Sequence, residues 1–286
     1  MNTPESAGRI DTFYMNSKYY QEASLWEQPE TGWMSFNYWF GRSWKDISRA
    51  RPIDSPHDDK VIIMPADSVY DGIWTIEKGK VDLQFKFKGV VYKLPIKDLL
   101  QTKETIWDEG HFTHSFLSPA DYHRQHSPVS GTVIEARVIQ GQVYLHVAES
   151  SRLREDQAMI RAPAEITRRL GMRIQYESEG EGNGTEIFVN LDAPDRPGYQ
   201  WCQTRGLIVI QTEKYGRVAI LPVGMAQVSS VVISVKQGET VKKGDQISYF
   251  QFGGSDCVMA FEKRVDFKFP RKTKVNVRKQ IASFLK

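Results

Sequence analysis

The pattern of hydrophobic and polar positions divides the chain into two parts. The first 55 residues are aromatic and weakly periodic, and residues 33–48 have the spacing of an amphipathic helix. From about residue 60 onward, short apolar runs alternate with polar residues and are separated by glycine turns, which is typical of strands. The apolar side of the predicted helix is aromatic: Phe36, Trp39, Phe40 and Trp44.

This order predicts an α+β fold in which short N-terminal helices precede antiparallel β-sheets. We divide the chain into an N-terminal helical aromatic segment, residues 1–55, and a larger domain, residues 56–286. The simpler interpretation of the first segment is a helix packed on the core. The alternative is a dimer face or a lid over a pocket.

Residues 231–250 have a spacing also found in the β-sandwich of lipoyl and biotinyl carriers. Gly238 and Gly244 fall at turns between short apolar runs. We therefore expect a carrier-like β segment here. Such carriers need a modifiable lysine at a hairpin tip, and no lysine lies in a matching motif, so we interpret the segment as scaffold.

Composition limits the class of protein. The 286 residues are 40% hydrophobic, which supplies enough core for independent folding, and the net charge of +3 does not imply an acidic partner. Two cysteines do not make a disulfide scaffold and favour a reducing compartment. The start of the chain lacks the pattern of a signal or transit peptide, and no apolar run approaches the roughly 20 residues of a membrane helix. We expect a soluble, cytoplasmic protein.

Four of the six histidines lie within residues 111–126: His111, His114, His123 and His126. Histidine is the natural proton carrier near neutral pH, and a carboxylate can fix its tautomer. Asp67 follows an apolar run and is a candidate for that carboxylate, whereas Asp71 is expected to be an ordinary turn residue. A zinc site is an alternative, since His123 and His126 are three apart and could share a helix face, but no thiolate pair is near.

The segment "YFQFGGSDCVMAFEK", residues 249–263, predicts a strand, a tight Gly-Gly turn and a second strand. A hairpin turn alone is the simple interpretation. The chemical interpretation is that the Ser255 hydroxyl attacks the carbonyl carbon of Gly254 while a base, His126 oriented by Asp67, takes its proton. β-Elimination of the resulting ester cuts the chain, and hydrolysis of the dehydroalanine leaves a pyruvoyl ketone. That ketone forms a Schiff base with a substrate amine and accepts electrons as CO₂ leaves.

Five stretches occur in order along the chain: "SFNYWFGRSWKDISRARPI", "MPADSVYDG", "HSFLSPADYHRQHSPVSG", "ILPVGMAQVSSV" and "VKKGDQISYFQFGGS". Together they resemble the phosphatidylserine decarboxylase family of pyruvoyl enzymes. The similarity is weakest over residues 149–200, where this chain carries its own insert.

The resemblance implies self-cleavage between Gly254 and Ser255. It gives a β chain of residues 1–254 and an α chain of residues 255–286 that starts with the pyruvoyl group. By the same resemblance, Asp67, His126 and Ser255 form the processing triad, and His123 donates the proton in decarboxylation. We expect the cleaved protomers to form a homodimer and no metal to be bound.

The substrate is the open point. The bacterial membrane enzymes have Leu-Gly-Ser-Thr at the cleavage site, where this chain has Gly-Gly-Ser-Asp at residues 253–256, and its opening is polar. Both differences resemble the soluble relatives that decarboxylate free amino acids, so we expect a free amino acid or a small derivative. Phosphatidylserine at a membrane surface is the alternative. The simpler interpretation of the basic tract at residues 263–280 is a solvated strand face, but attraction of this tract to anionic lipid keeps phosphatidylserine open as a substrate.

Two further classes of function fit the sequence less well. An inactive binding module on the same scaffold would require loss of the serine or the histidines, and all of them are present. Nucleic-acid binding by the basic tract lacks a surrounding motif, so we expect no nucleic-acid partner.

Overall fold

The structure is a computed structural model that describes residues 2–13, 22–87, 90–118, 120–141, 148–151, 168–175, 186–193, 203–224, 230–251 and 254–285. It divides into two compact units. The first unit contains residues 1–143 and 198–286, and the second contains residues 144–197.

The N-terminal part is helical in short pieces. Two 3₁₀ helices, Pro4–Phe13 and Ala23–Leu25, precede the α-helices α1 (Phe36–Phe40) and α2 (Ile47–Ala50), and α3 (Ile96–Leu100) follows later. Ser35 begins α1 because its hydroxyl accepts a hydrogen bond from the Tyr38 amide, and Gly41 ends it. The helix α1 is therefore shorter than the helix predicted over residues 33–48.

Nineteen strands occur in the described residues, and almost all are short. The strands before the second unit are β1 (Val61–Ile63), β2 (Ser68–Glu77), β3 (Lys80–Phe87), β4 (Val90–Pro95), β5 (His111–Phe116), β6 (Arg124–His126) and β7 (Gly131–Ile139). The second unit contains β8 (Ala148–Ser151), β9 (Arg168–Gln175) and β10 (Glu186–Ala193). The remaining strands are β11 (Arg205–Gln211), β12 (Arg217–Gly224), β13 (Val231–Ile233), β14 (Thr240–Val241), β15 (Gln246–Phe250), β16 (Gly254–Phe261), β17 (Val265–Phe267), β18 (Thr273–Val275) and β19 (Gln280–Phe284).

The main sheet of the first unit is antiparallel. Its strand order, over the residues described, is β14-β7-β11-β12-β16-β5-β2-β3-β4, and β18 also pairs with β2. Two small sheets accompany it, with the orders β1-β19-β17 and β13-β15-β6. The strand that carries the predicted cleavage site, β16, is thus central, between β12 and β5.

The central strands separate two hydrophobic cores. On β16, Cys257 and Met259 pack into one core, and Val258 and Ala260 pack into the other, because successive side chains of a strand point to opposite faces. The first core also contains the aromatic residues of the N-terminal segment. We name these the first core and the second core.

The N-terminal segment packs on the first core. Phe36, Trp39 and Phe40 are buried on α1, and Trp44 is buried beyond its end, where it stacks on Trp26. The simpler interpretation of this segment, packing on the core, is therefore confirmed. The boundary at residue 55 stays a prediction.

The second unit is a three-stranded antiparallel sheet with the order β8-β10-β9. Its bounds, residues 144–197, overlap the stretch 149–200 where the sequence motifs match least well.

The predicted fold class, α+β and rich in antiparallel sheet, is confirmed. Gly238 and Gly244 do lie at turns with positive φ, +92° and +89°. The likeness of residues 231–250 to lipoyl and biotinyl carriers stays a prediction. Within the described part of the chain, no helix is long and apolar enough to span a bilayer.

Candidate active site

The predicted cleavage peptide lies at an irregularity of the main sheet. On β12, Val223 pairs with Asp256 and the next residue, Gly224, pairs with Gly254. Ser255 is therefore an extra residue on β16, which makes this point a β-bulge. Bulges disrupt the hydrogen-bond ladder and are common beside active sites.

The predicted Gly-Gly turn is described only in part. Gly253 lies outside the described residues, and Gly254 is the first residue of β16 rather than part of a turn. For Ser255 the structure describes the backbone position.

His123 is fully buried in the predicted site. Its ring stacks on Phe40 with centroids 3.7 Å apart and meets the Phe250 ring edge-on at 6.4 Å. Neither ring nitrogen has a hydrogen-bond partner among the residues that the structure describes. Burial, and then the charges of Arg42 and Lys274, lower the pKa of His123 well below its usual value, so the imidazole is neutral at pH 7. An unpartnered buried polar group costs about 1–3 kcal/mol, and such groups are typical of functional sites.

The main chain ties both predicted histidines to the segment that leads into the bulge. Strand β6 pairs with β15, and His126 lies opposite Gln246. At the other end of β6, the Phe250 amide donates to the His123 carbonyl at 2.9 Å. Since β15 runs toward Ser255, this register places His123 beside the end of β15 and His126 beside its start.

His126 is held as a neutral base by two hydrogen bonds. Nδ1 lies 2.8 Å from the Gly244 carbonyl oxygen and Nε2 lies 3.0 Å from the Tyr122 hydroxyl. Because a carbonyl only accepts, Nδ1 carries the proton and Nε2 accepts from Tyr122. Burial lowers the pKa of His126 to about 4; Arg278 lowers it and Asp67 raises it.

Gly244 is required at the position that orients His126. Its φ is +89°, and an added Cβ would lie 2.9 Å from Ile53 Cγ1 and closer still to Cδ1. The same carbonyl also accepts from Arg278 Nη2 at 2.7 Å. The backbone of this turn therefore fixes the tautomer of His126.

Asp67 is buried but bonded to other groups. Its carboxylate accepts from Arg51 Nη2 at 2.7 Å, from Arg51 Nε at 3.1 Å and from the Val277 amide at 2.7 Å. The orientation expected from Asp67 is supplied here by Gly244, and Asp67 acts on His126 through its charge. Its role in processing stays a prediction.

Arg42 joins the N-terminal segment to the loop before β6. Its guanidinium lies over the rings of Trp26 and Trp39, 4.2 and 4.5 Å from their centroids. Nη2 donates to the carbonyls of Ala120 and Asp121 at 2.6 and 3.0 Å. The aromatic segment thus supports the loop that carries Tyr122 and His123. The sequence pattern did not indicate a role for Arg42, although this residue lies in the matching stretch at residues 35–53.

The structure also contains a second buried histidine cluster, which the sequence did not indicate. His114 on β5 has Nδ1 3.1 Å from Asp71 Oδ2 and Nε2 3.4 Å from Asp256 Oδ2, and none of the three side chains is more than 1% exposed. Burial lowers the pKa of His114, but the bonds and charges of Asp256 and Asp71 outweigh it and raise the pKa to about 9. We name this group the His114 bridge.

The expectation that Asp71 is a turn residue is wrong. Asp71 lies inside β2, where the backbone bulges against β5, and its Oδ1 also lies 2.6 Å from Lys272 Nζ. The glycine that follows it suggested a turn, but the strand continues through both residues. The shared helix face suggested for zinc is also wrong, because His123 precedes and His126 ends the strand β6.

The cluster of four histidines therefore separates into two groups. His123, just before β6, and His126, its last residue, lie on the side of the first core. His111 and His114 lie on β5, where His111 Nδ1 accepts from the Val265 amide at 3.0 Å.

Comparison with known proteins gives the class. Residues 36–283 match the family model of phosphatidylserine decarboxylase, so the chain belongs to that family of carboxy-lyases. The resemblance inferred from the motifs is confirmed. The matched range contains the four predicted site residues, Asp67, His123, His126 and Ser255.

Several curated relatives carry more particular names. A phosphatidylserine decarboxylase proenzyme of Fusobacterium nucleatum is 29% identical over 92% of this chain and 71% of its own length. A phosphatidylserine decarboxylase proenzyme 2 of Komagataella phaffii is 28% identical over 100% of this chain and 24% of its own length. The decarboxylase iboD of Amanita muscaria is 26% identical over 88% of this chain and 65% of its own length.

Proposed function

We propose that the chain is the proenzyme of a self-cleaving, pyruvoyl-dependent decarboxylase that acts on phosphatidylserine. The observation that carries the proposal is the family match over residues 36–283. The match includes His123, which is buried, has no ring partner among the described residues, and lies on the segment paired to the approach to Ser255. Two of the relatives above are named phosphatidylserine decarboxylase proenzymes. These names favour the alternative substrate over the free amino acid that the cleavage motif led us to expect.

Processing begins at the bulge. The Ser255 hydroxyl oxygen attacks the Gly254 carbonyl carbon, and His126 Nε2 takes the hydroxyl proton. The Nδ1 bond to Gly244 supports this role, because it leaves the lone pair on Nε2, where the serine proton replaces the hydrogen bond that the Tyr122 hydroxyl donates. The negative charge of Asp67 stabilises the imidazolium that forms. The Gly254–Ser255 C–N bond breaks to give an ester, and the departing nitrogen takes the proton from His126. Loss of the α-proton of residue 255 together with the ester oxygen then leaves a carboxylate on Gly254 and a dehydroalanine at residue 255, whose hydrolysis releases ammonia and leaves the pyruvoyl group.

The bulge and the buried histidines fit a group formed at residue 255. A pyruvoyl group supplies a carbonyl that condenses with the substrate amine and accepts the electron pair when CO₂ leaves. Phe40 and Phe250 exclude water from His123, whose low pKa keeps it neutral with one proton on a ring nitrogen. The free ring nitrogen of the neutral imidazole takes the proton that the substrate ammonium loses before its amine condenses, and the imidazolium then delivers that proton to the carbon that CO₂ leaves.

Surface charge supports a membrane substrate. The tract 263–280 contains eight basic residues and one acidic residue. Six of the basic residues are exposed: Lys263, Arg264, Lys268, Arg271, Lys272 and Lys274. Three of these also pair with aspartates: Arg271 and Lys272 with Asp71, and Lys274 with Asp121. Each basic residue near an anionic membrane contributes about 1 kcal/mol of attraction.

The test compares substrates on one preparation. Intact-mass measurement of the purified protein should give two chains, residues 1–254 and 255–286. Vesicles that contain phosphatidylserine should then release CO₂ and gain phosphatidylethanolamine, whereas free serine and the other amino acids should not react. Turnover of free amino acids alone would restore the first substrate expectation. A single uncut chain that still decarboxylates would disprove the pyruvoyl mechanism.

A further inference from the structure

The His114 bridge lies on the opposite side of β16 from the predicted histidine site. His114 is directly across from Val258, and Asp256 is two residues before Val258, so all three side chains share the face of the second core. His123 and His126 instead contact residues of the first core. The bridge therefore does not belong to the proton-transfer site.

The bridge is charged in an otherwise apolar core. At neutral pH, His114 is an imidazolium between two carboxylates, and Lys272 lies 2.6 Å from the outer oxygen of Asp71. A buried ion array adds little stability over apolar side chains of the same volume, because desolvation offsets the attraction. In some proteins a buried charged or polar group instead specifies a single geometry of the segments that carry it.

Asp256 links the bridge to the predicted cleavage site. Asp256 is the first residue of β16 that is paired on both sides, with Val223 on β12 and Phe116 on β5. Ser255, next to it, falls in the bulge. Asp256 is thus the last fixed point of the sheet before the residue that reacts.

After cleavage, the start of β16 depends more strongly on what holds Asp256. After the cut, residue 255 is a chain end, and chain ends are mobile unless side chains or hydrogen bonds hold them. Asp256 would then belong to the chain 255–286, while His114 and Asp71 would belong to the chain 1–254. The bridge would join the two chains one residue away from the reactive group.

We propose that Asp256 is a positioning residue that, through His114 and Asp71, holds the start of β16 so that the group formed at residue 255 stays in place after cleavage. The proposal rests on the proposed function. It assigns to the bridge a role in turnover that is separate from self-cleavage.

The main test is Asp256→Asn, which keeps the size of the side chain and removes its charge. The variant should cleave itself, because the processing residues lie on the other face. Its kcat should fall roughly 10- to 100-fold with KM nearly unchanged, since a misplacement of about 1 Å can cost about 10²-fold. Unchanged kcat, or failure to cleave, would overturn the proposal.

A second readout does not depend on turnover. Amide hydrogen exchange in the cleaved protein should accelerate at residues 256–258 of Asp256→Asn and remain near wild type in the rest of β16. Protection equal to wild type at residues 256–258 would contradict a positioning role.

The matched control is Leu221→Ala. Leu221 is buried in the second core on β12, where it pairs with Val258, and it makes no part of the bridge. This variant should lose stability and keep kcat. An equal loss of kcat would show that Asp256→Asn acts only through stability, which would also overturn the proposal.

His114→Gln provides an independent variant, since it removes the bridging ring and leaves residue 256 intact. It should reproduce the loss of kcat and the faster exchange. It also answers the question if Asp256→Asn does not fold, and a wild-type kcat in His114→Gln would then disprove the proposal. Wild-type protein that neither cleaves nor decarboxylates would instead reject the proposed function.

Discussion

Gly244 offers a sharp test of how His126 is held. Its carbonyl accepts from His126 Nδ1 at 2.8 Å, and its φ of +89° lies in the region that side chains rarely adopt. In Gly244→Ala the new methyl group meets Ile53, with Cγ1 only 2.9 Å away. The substitution therefore strains the turn and displaces the carbonyl that fixes the tautomer.

Two terms set the magnitude for Gly244→Ala. Positive φ costs a residue with a Cβ roughly 1–2 kcal/mol. Overpacking against Ile53 adds about 1–3 kcal/mol, because ordinary carbon contacts are about 3.5–4.0 Å. We therefore expect the free energy of unfolding to fall by about 2–5 kcal/mol relative to wild type.

Gly238→Ala is the matched control. Gly238 has nearly the same φ, +92°, but no atom lies within 4 Å of an added Cβ. This variant should lose only the roughly 1–2 kcal/mol of the backbone term. The difference between the two variants isolates the contact with Ile53.

Urea denaturation measures both free energies, and a cell-free translation time course measures self-cleavage by mass. Gly244→Ala should cleave at least about 10-fold more slowly, because a base displaced by about 1 Å can lose about 10² in rate. Gly238→Ala should cleave like wild type. Equal stability and equal cleavage in the two variants would refute the argument that this carbonyl orients His126.

Further variants test the site residues and the buried charges. Ser255→Ala should remain one uncut and inactive chain on denaturing electrophoresis, because alanine has no hydroxyl; a cut product would remove Ser255 from the mechanism. His123→Ala should cleave normally but lose roughly 10²–10⁴ in kcat, since a positioned acid contributes about that factor; a variant that fails to cleave would place His123 in processing. The pKa of His126 is lowered to about 4, so the unfolded chain takes up its proton first and stability should fall as pH drops from about 6.5 to about 4. The pKa of His114 is raised to about 9, so its contribution should be complete below about 6.5 and lost as pH rises through 9. Denaturant titrations across pH measure both changes in stability. His126→Gln should remove only the loss of stability at low pH, and His114→Gln should remove only the loss at high pH.

The predictions for the candidate site came from local sequence signals. His123 and His126 stand three residues apart in one motif, and Ser255 follows a recognisable Gly-Gly pair. Strand alternation in the last third of the chain also predicted the antiparallel sheet. These features depend on near neighbours, which a single sequence displays directly.

Helix length was harder to predict from the same kind of signal. The apolar spacing extends from Phe36 to Trp44, but α1 ends at Phe40 because Gly41 follows it. Trp44 is buried for a different reason, since it stacks on Trp26 and pairs with it in an isolated β-bridge. The apolar spacing alone therefore did not distinguish a longer helix from a residue that tertiary contacts bury beyond the end of the helix.

The His114 bridge depends on strand register, which the sequence does not display. Asp71, His114 and Asp256 lie on β2, β5 and β16, and they meet only because these strands are neighbours. Asp71 precedes a glycine and suggested a turn, while Asp256 follows the predicted cleavage site and attracted no assignment. The partner that fixes His126 was missed for a similar reason, because a backbone carbonyl has no sequence signature.

The two cores of the first unit put histidines in opposite charge states. Burial lowers the pKa of His126 and of His114 alike. In the first core a carbonyl and a hydroxyl are the partners of His126, so burial wins and the ring stays a neutral base. In the second core two carboxylates flank His114, so their charges win and the ring stays protonated. Strand β16 thus separates the core beside a histidine that can accept a proton from the core that holds a histidine that keeps one, and Ser255, the residue proposed to react, lies in the bulge at the start of this strand.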